Sequence, residues 1–356
     1  MILKGLFVVP LPKVPPMTSR LQNTREGKDL SWTEIIKRYN HPTLIKSFWQ
    51  LTSTLFLYAL ATTAMYLGMR ISIWIPIALI LPAAGLLVRI FIIFHDCGHG
   101  SYFRSGKMNN AVGILTGILT FTPYFHWHNQ HRIHHATAGN LDKRGVGDVW
   151  TATVEEWGRM SKWDRLKYRL YRHPVTMFGV GSFYMFVINN RFTKKTMDRK
   201  ARMSVYIANA GLFLMAIGMA SLVGMKAFLM VQLPVIYVAA ILGIWLFYLQ
   251  HQYEEVYWRK GENWDYKSVA LEGSSYFKLP SFFRYFTGNI GFHHIHHLSP
   301  MIPNYNLARC HRENSLFSGI RPLTFTKSFK MLTLRLYNER TGQITSFRGM
   351  NNTVRV

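Results

Sequence analysis

Nine of the fifteen histidines in this chain of 356 residues fall into three clusters, and eight of them have a spacing that suits metal ligation. The densest is Gly291-Phe292-His293-His294-Ile295-His296-His297. Wound as a helix, it sets His293, His296 and His297 at i, i+3 and i+4, on one face. His131-Arg132-Ile133-His134-His135 repeats that spacing, and His95-Asp96-Cys97-Gly98-His99 is an i, i+4 pair. Neutral imidazole is the commonest metal ligand and suits iron, zinc and copper. Zinc sites use three or four protein ligands, so eight convergent imidazoles predict two metals side by side. A tag-like run of surface histidines is the bland alternative, and three separate clusters with helical spacing argue against it.

The chemistry follows from what accompanies the imidazoles. Two-metal hydrolases bridge their ions with carboxylates, yet Asp96 is the only acid inside a cluster. Neutral ligands leave the positive charge on the ions, and iron with open positions can activate dioxygen. Beside a bilayer, attack on an unactivated C–H bond of a lipid chain is the most economical reading. His251 stands alone after a long apolar run, where an interfacial role and ligation are equally good readings of the residue itself. His41, His126, His128, His173, His294 and His311 lie off the pattern. Of these, His126, His128 and His294 stand near enough to support the ligands from behind.

Four long apolar runs must carry these clusters. Residues 48–69 hold 22 residues without a charge, about 33 Å of helix and enough to cross a bilayer. Residues 71–94 form a second span, whose end delivers His95 and His99; Arg89 within it is expected to snorkel or to pair with an inner acid. Residues 111–125 are apolar but too short to cross, and read as a re-entrant or interfacial arm leading to the second cluster. Residues 204–223 and 227–249 are the third and fourth spans, and His251 follows the last. The expected fold is an all-α integral membrane protein. Its four transmembrane helices form two hairpins (48–94 and 204–249), with a cytoplasmic helical cap carrying a His-rich dimetal site. A cytoplasmic N-terminal arm (1–47), a cytoplasmic and interfacial segment (95–203) and the cap (250–356) complete the division.

Composition fits this plan. Nearly half the residues are apolar, and the net charge is +25. If both hairpins enter from the cytoplasm, only Arg70 and Lys226 fall outside and Arg89 within a span. The remaining 39 of 42 basic residues are then cytoplasmic, as the positive-inside bias requires. Residues 159–203 carry twelve Lys or Arg against two Asp, and read as an aromatic-laced segment on anionic headgroups. Residues 174–190 are moderately apolar and read as interfacial. Nucleic acid is the lesser reading of such a charge in a chain with several spans. Two cysteines, Cys97 and Cys310, imply no disulfide framework. The apolar patch near the start is too short and too broken by proline for a cleavable signal peptide.

The boxes HDCGH, HRIHH and HHIHH, in this order around two apolar pairs, resemble those of the membrane fatty acid desaturase family. The segments FYLQHQ at 247–252, EGSSYFKLP at 272–280, TGNIGF at 287–292 and NLDKRG at 140–145 extend the resemblance over roughly residues 45–350. They are most similar to bacterial acyl-lipid desaturases, notably the Δ5-type phospholipid desaturases of bacilli. Three residues between the first two histidines also match the acyl-lipid branch, whereas the acyl-CoA branch tends to have four. The resemblance implies a diiron centre, dioxygen, membrane phospholipid acyl chains held in a kinked tunnel, and two electrons from a small carrier such as ferredoxin or flavodoxin. It adds His251 as a ninth ligand and Asn289 as a residue holding a metal-bound water. His294 departs from the pattern, since many relatives carry an apolar residue there. Competing readings are a diiron hydroxylase or ketolase with the same boxes, and a metal transporter. A transporter would place several ionisable residues in its spans, where only Arg89 occurs.

Overall fold

The computed structural model describes residues 31–145 and 147–349, so most of the N-terminal arm lies outside the described residues. Helix α1 (Trp32–Lys37) opens on a capping box made by Ser31 and Glu34. It docks on the C-terminal half of the chain, where Tyr39 donates to Glu313 at 2.8 Å and Asn306 donates to the Tyr39 carbonyl at 2.9 Å.

Among the described residues, four helices are long and apolar enough to cross a membrane: α2 (Leu44–Gly68), α3 (Trp74–His99), and further along α8 and α9. A short turn at 69–73 joins α2 to α3, and the two pack closely enough that a β-carbon on Gly68 would lie 2.4 Å from Ile75. Helix α3 runs past the apolar stretch and through both cluster histidines, ending where Gly100 takes φ 71°. Among the described residues, Arg89 pairs with no acid. Its guanidinium lies over the Tyr285 ring at 4.1 Å, donates to the Tyr285 carbonyl, and donates from Nε to Thr54 at 3.0 Å.

The apolar stretch 111–125 divides into two helices, α4 (Gly106–Leu119) and α5 (Tyr124–Thr137). The break centres on Phe121, held at φ 58°. Its carbonyl is taken up by the amide of Asn190 and the guanidinium of Arg191. Helices α4 and α5 meet at Gly113, where any β-carbon would strike the Tyr124 ring at 2.1 Å. The Tyr124 hydroxyl in turn donates to the Cys97 carbonyl at 2.7 Å, tying α5 to the last turn of α3.

In the basic segment, α6 (Val154–Arg159) and α7 (Lys162–Tyr171) precede an irregular, largely π-helical run at 175–188. Helix α7 turns Tyr168 inward and leaves Trp163, Leu166 and Leu170 exposed. Helix α8 (Arg199–Val223) starts on Asp198, whose carboxylate accepts from the Ala201 amide at 2.7 Å. Gly224, at φ 84°, turns the chain directly into α9 (Met225–His251). Helices α3 and α9 lie inside the bundle: Ile90 and Ile93 are fully buried on α3, and Val231 and Val235 on α9. Helix α8 lies outside, with Phe213, Leu214 and Leu222 each more than 60% exposed, as a lipid-facing surface requires.

The C-terminal third is not purely helical. After α10 (Tyr266–Glu272) come β1 (Tyr276–Lys278), α11 (Ser281–Phe286), α12 (His293–Leu298) and α13 (Asn304–Glu313). Then follow β2 (Pro322–Thr324), α14 (Phe325–Met331), β3 (Leu336–Asn338) and β4 (Gln343–Thr345). Strand β1 pairs in parallel with β2, and β3 antiparallel with β4. Short strands without a wide alternating pattern leave little periodic signal, which is why the sequence reads here as helix and loop.

Candidate metal centre

Four helices converge on one end of the bundle. Helix α3 brings His95 and His99 on its last turn, and α9 ends on His251. Helices α5 and α12 contribute three imidazoles each. All nine rings meet, in two groups. His95, His99, His131, His135 and His296 form one, and His134, His251, His293 and His297 the other. Within each group the facing nitrogens lie within 4.8 Å of one another. The three sequence clusters therefore do not correspond to separate sites. On α5 the i, i+4 pair His131 and His135 faces the first group while His134 turns to the second. On α12 the pair His293 and His297 faces the second, and His296 reaches back to the first.

The nitrogen geometry tests whether metal fits. In the first group, His131 Nε2 stands 3.0 Å from His95 Nε2 and 3.1 Å from His135 Nε2, which is itself 3.0 Å from His296 Nε2. In the second, His251 Nε2 lies 3.0 Å from both His134 Nε2 and His293 Nε2. A neutral ring nitrogen carries either one hydrogen or one lone pair. His131, His135 and His251 each face two partners at once, so hydrogen bonding alone cannot satisfy these contacts. An ion about 2.1 Å from each imidazole nitrogen sets neighbouring ligands roughly 3.0 Å apart at right angles, but roughly 3.4 Å apart in a tetrahedron. The observed edges match the right-angled arrangement. His99 Nε2 and His297 Nε2 are buried with no hydrogen-bond partner among the described residues, which a bound ion would remedy. The donor set fits two ions of higher coordination than structural zinc.

Protonation agrees with this. Burial, reinforced by neighbouring imidazoles, holds His131, His134, His135, His293, His296 and His297 well below the usual histidine range. They stay neutral near pH 7, with a lone pair for a metal. Behind the rings stand partners that fix tautomers. His95 Nδ1 lies 3.1 Å from Asp96 Oδ1, and the other carboxylate oxygen accepts from the backbone and side-chain amides of Asn304 at 2.7 and 2.8 Å. Gln50 closes that network by donating to Asn304 Oδ1 at 2.8 Å. His251 Nδ1 faces the Gly273 carbonyl at 3.3 Å. Such partners would aim Nε2 at a bound ion and raise its basicity. Trp127 stacks on His131 with centroids 4.3 Å apart, and Phe247 packs on both His134 and His251.

The other candidates belong to neither group. Asn289 takes φ 59° and donates from Nδ2 to the Asn304 carbonyl at 3.3 Å. His294 turns away from the groups to His311, 3.3 Å between ring nitrogens. His126 and His128 make no ring hydrogen bond to a ligand among the described residues. Sequence reasoning missed Asn304, Gln50 and the Gly273 carbonyl. The one available signal was Asp96, an acid beside His95 in a cluster otherwise free of acids.

A comparison with known proteins decides the family. The fatty acid desaturase family model matches residues 72–326, a stretch that contains all nine histidines. The chain belongs to the fatty acid desaturase family. It is 41% identical to a fatty acid desaturase of Bacillus subtilis (strain 168), across 93% of this chain and 94% of that one. It is also similar to two desaturases of Synechocystis. One is the sn-1 oleoyl-lipid 12-desaturase, 24% identical over 89% of this chain and 90% of that one. The other is the sn-1 acyl-lipid omega-3 desaturase (ferredoxin), 28% identical over 62% of each. The chain is thus an oxygen-dependent oxidoreductase of that family, and four of its described helices are long and apolar enough to cross a membrane.

Proposed function

We propose that this desaturase inserts a cis double bond into acyl chains of membrane phospholipids at a diiron centre. His95, His99, His131, His135 and His296 would hold one iron, and His134, His251, His293 and His297 the other. The observation that carries this reading is the pair of all-imidazole groups with right-angled nitrogen spacing, set at the ends of two inner spans. The balance is R–CH2–CH2–R′ plus O2, two electrons and two protons, giving R–CH=CH–R′ and two waters. Iron bound there supplies the activation of dioxygen that lets a C–H bond be broken.

The chain's own residues do the rest. Asp96, anchored by Asn304 and Gln50, holds the His95 ring in its ligating orientation. The Gly273 carbonyl does the same for His251. Trp127 and Phe247 border the two groups with apolar rings that restrict water. Asn289 is our candidate for holding a water beside the ions. Two electrons come from a small carrier, ferredoxin or flavodoxin in kind; the name of one Synechocystis relative specifies ferredoxin.

The charge distribution supports a centre on the cytoplasmic side of the cell membrane, with α2–α3 and α8–α9 entering as two hairpins and 95–203 and 250–356 lying with it. Reporter fusions after residues 70 and 225 should then signal outside, and fusions near 150 and 340 inside. An outside signal at 150 would overturn the placement. For the chemistry, the test is expression in a host lacking the product, with fatty acids analysed by mass spectrometry and metal by elemental analysis. A new monounsaturated chain and two irons per protein are expected. Full activity with one zinc and no iron would sink the diiron reading.

A further inference from the structure

Residues 250–356 read from sequence as a cytoplasmic cap, but one face of that region carries aromatic side chains turned outward. Phe282 is 68% exposed and Phe329 53%, with Phe283, Tyr285 and Phe325 also exposed. They come from two helices far apart in sequence, α11 and α14. The parallel pairing of β1 with β2 brings those helices side by side, because each helix follows directly from its strand. Phe283 stacks flat on Phe325 with centroids 6.2 Å apart, and Phe325 and Phe329 both touch Trp245 of α9. Monomeric proteins rarely leave such a patch uncovered.

Its position along the spans says what covers it. Phe286 of α11 packs on Gly85 of α3, where a β-carbon would lie 2.8 Å from the ring. Gly85 precedes His95 by ten residues, about 15 Å of helix, and Trp245 precedes His251 by six, about 9 Å. The aromatic face therefore lies on the bilayer side of the ligand-bearing helix ends and continues the apolar surface of α3 and α9. Arg284 is half-buried on α11, while Lys278, Lys327 and Lys330 are exposed around the patch. Among the described residues, only Lys330 of these has an ion pair, to Glu254 at 2.8 Å. Aromatic rings flanked by cations are the composition of a membrane interface, where the rings sit at the boundary and the cations meet lipid phosphates.

We propose that α11 and α14 form a membrane-seated surface, with Phe282, Phe325 and Phe329 in the acyl layer and Lys278, Lys327 and Lys330 at the anionic headgroups. The occupant is the lipid bilayer itself. This rests on reading α3 and α9 as spans, and the experiment separates the two claims. Single cysteines are introduced by Phe282→Cys, Phe325→Cys and Phe329→Cys in the full-length protein. Leu214→Cys on the outer face of α8 serves as a lipid control and Glu262→Cys as a water control. The native Cys97 and Cys310 are buried, so a nitroxide reagent labels the introduced thiol.

Labelled proteins that still make the unsaturated product are placed in phosphatidylethanolamine and phosphatidylglycerol nanodiscs. Collisions with oxygen and with a water-soluble nickel chelate are compared. Labels at 282, 325 and 329 are expected to match 214, with oxygen favoured over the chelate. A match to 262 overturns the inference. Shielding from both reagents, with a doubled particle mass, overturns it in favour of a second copy on this face. Water-like signals at 214 as well would overturn the reading of the spans along with it.

Discussion

The first ligand group draws five imidazoles from α3, α5 and α12; the second draws four from α5, α9 and α12. Every ring of the second group is buried, whereas His99 and His135 of the first are only half-buried. Their supports differ too. The first leans on a carboxylate held by Asn304 and Gln50, the second on a backbone carbonyl. A carboxylate behind an imidazole pushes more electron density onto the ring than a carbonyl does. Two ions bound here would sit in unequal sites, the first more exposed and more strongly donating, the second shut and shaped by backbone.

The harshest way to test that inequality is to remove a ligand from each side. His99→Ala, His296→Ala and His134→Ala should each abolish the unsaturated product, because α5 and α12 straddle both groups and an empty site on either side stops the two-ion reaction. The spans should still insert, since they satisfy their backbone hydrogen bonds without metal. Elemental analysis of the purified variants checks the first claim, and membrane fractionation the second. Product from any of the three at a rate near that of the unaltered protein would refute the assignment.

His251→Ala comes next, and it sharpens the contrast. It should leave the first group loaded and deplete the second, so iron falls from two towards one per chain with product lost. Normal iron and turnover would show that three imidazoles suffice on that side and that His251 is no ligand.

How far the sequence discloses this arrangement depends on periodicity. The spans show plainly because lipid demands long apolar runs. Eight of the nine converging imidazoles show because i, i+3 and i+4 spacing survives as a pattern in one dimension. The split of each cluster between two groups does not show: a helical stripe indicates which side chains share a face, not which of two neighbouring ions each one reaches. Asn304 and Gln50 were hidden for a different reason. They lie 208 and 46 residues from Asp96, and no local spacing records a contact across such distances. The helix ends were off by a few residues because α3 and α9 continue through His99 and His251 beyond their apolar stretches.

The supports themselves give a smaller effect. Asp96→Asn keeps the shape but loses the charge behind His95, and changes to such partners cost about 10–100-fold in metal affinity or activity. The loss should fall on the first group, seen as iron released earlier in a chelator titration. Gly273→Ala is the matched change on the other side. A β-carbon there would lie 2.6 Å from the Val269 carbonyl, forcing the backbone to move and carrying the Gly273 oxygen away from His251. Its loss should fall on the second group and be the milder of the two, because a shifted carbonyl can still accept. Equal sensitivity of both irons to Asp96→Asn would break the proposed inequality.

The smallest effect is expected where imidazoles pair outside both groups. His311 is half-buried, lies 3.3 Å from His294, and contacts the rings of Tyr276, Phe292 and Phe317. Burial lowers the pKa of both imidazoles, that of His294 to about 3, so near pH 7 the pair is neutral and adds no charge to the centre. His311→Ala removes packing and leaves the buried His294 nitrogen without its partner, a cost of about 1–3 kcal/mol. Because His294 faces away from the ligands, that loss should lower thermal stability while iron stays at two per chain. Turnover should fall by less than the tenfold that marks a ligand's direct partner. Iron content measured beside a melting curve checks both halves. A loss of iron in His311→Ala would extend the centre's supporting network through α12 to α13, and the first group would no longer be alone in resting on a distant side chain.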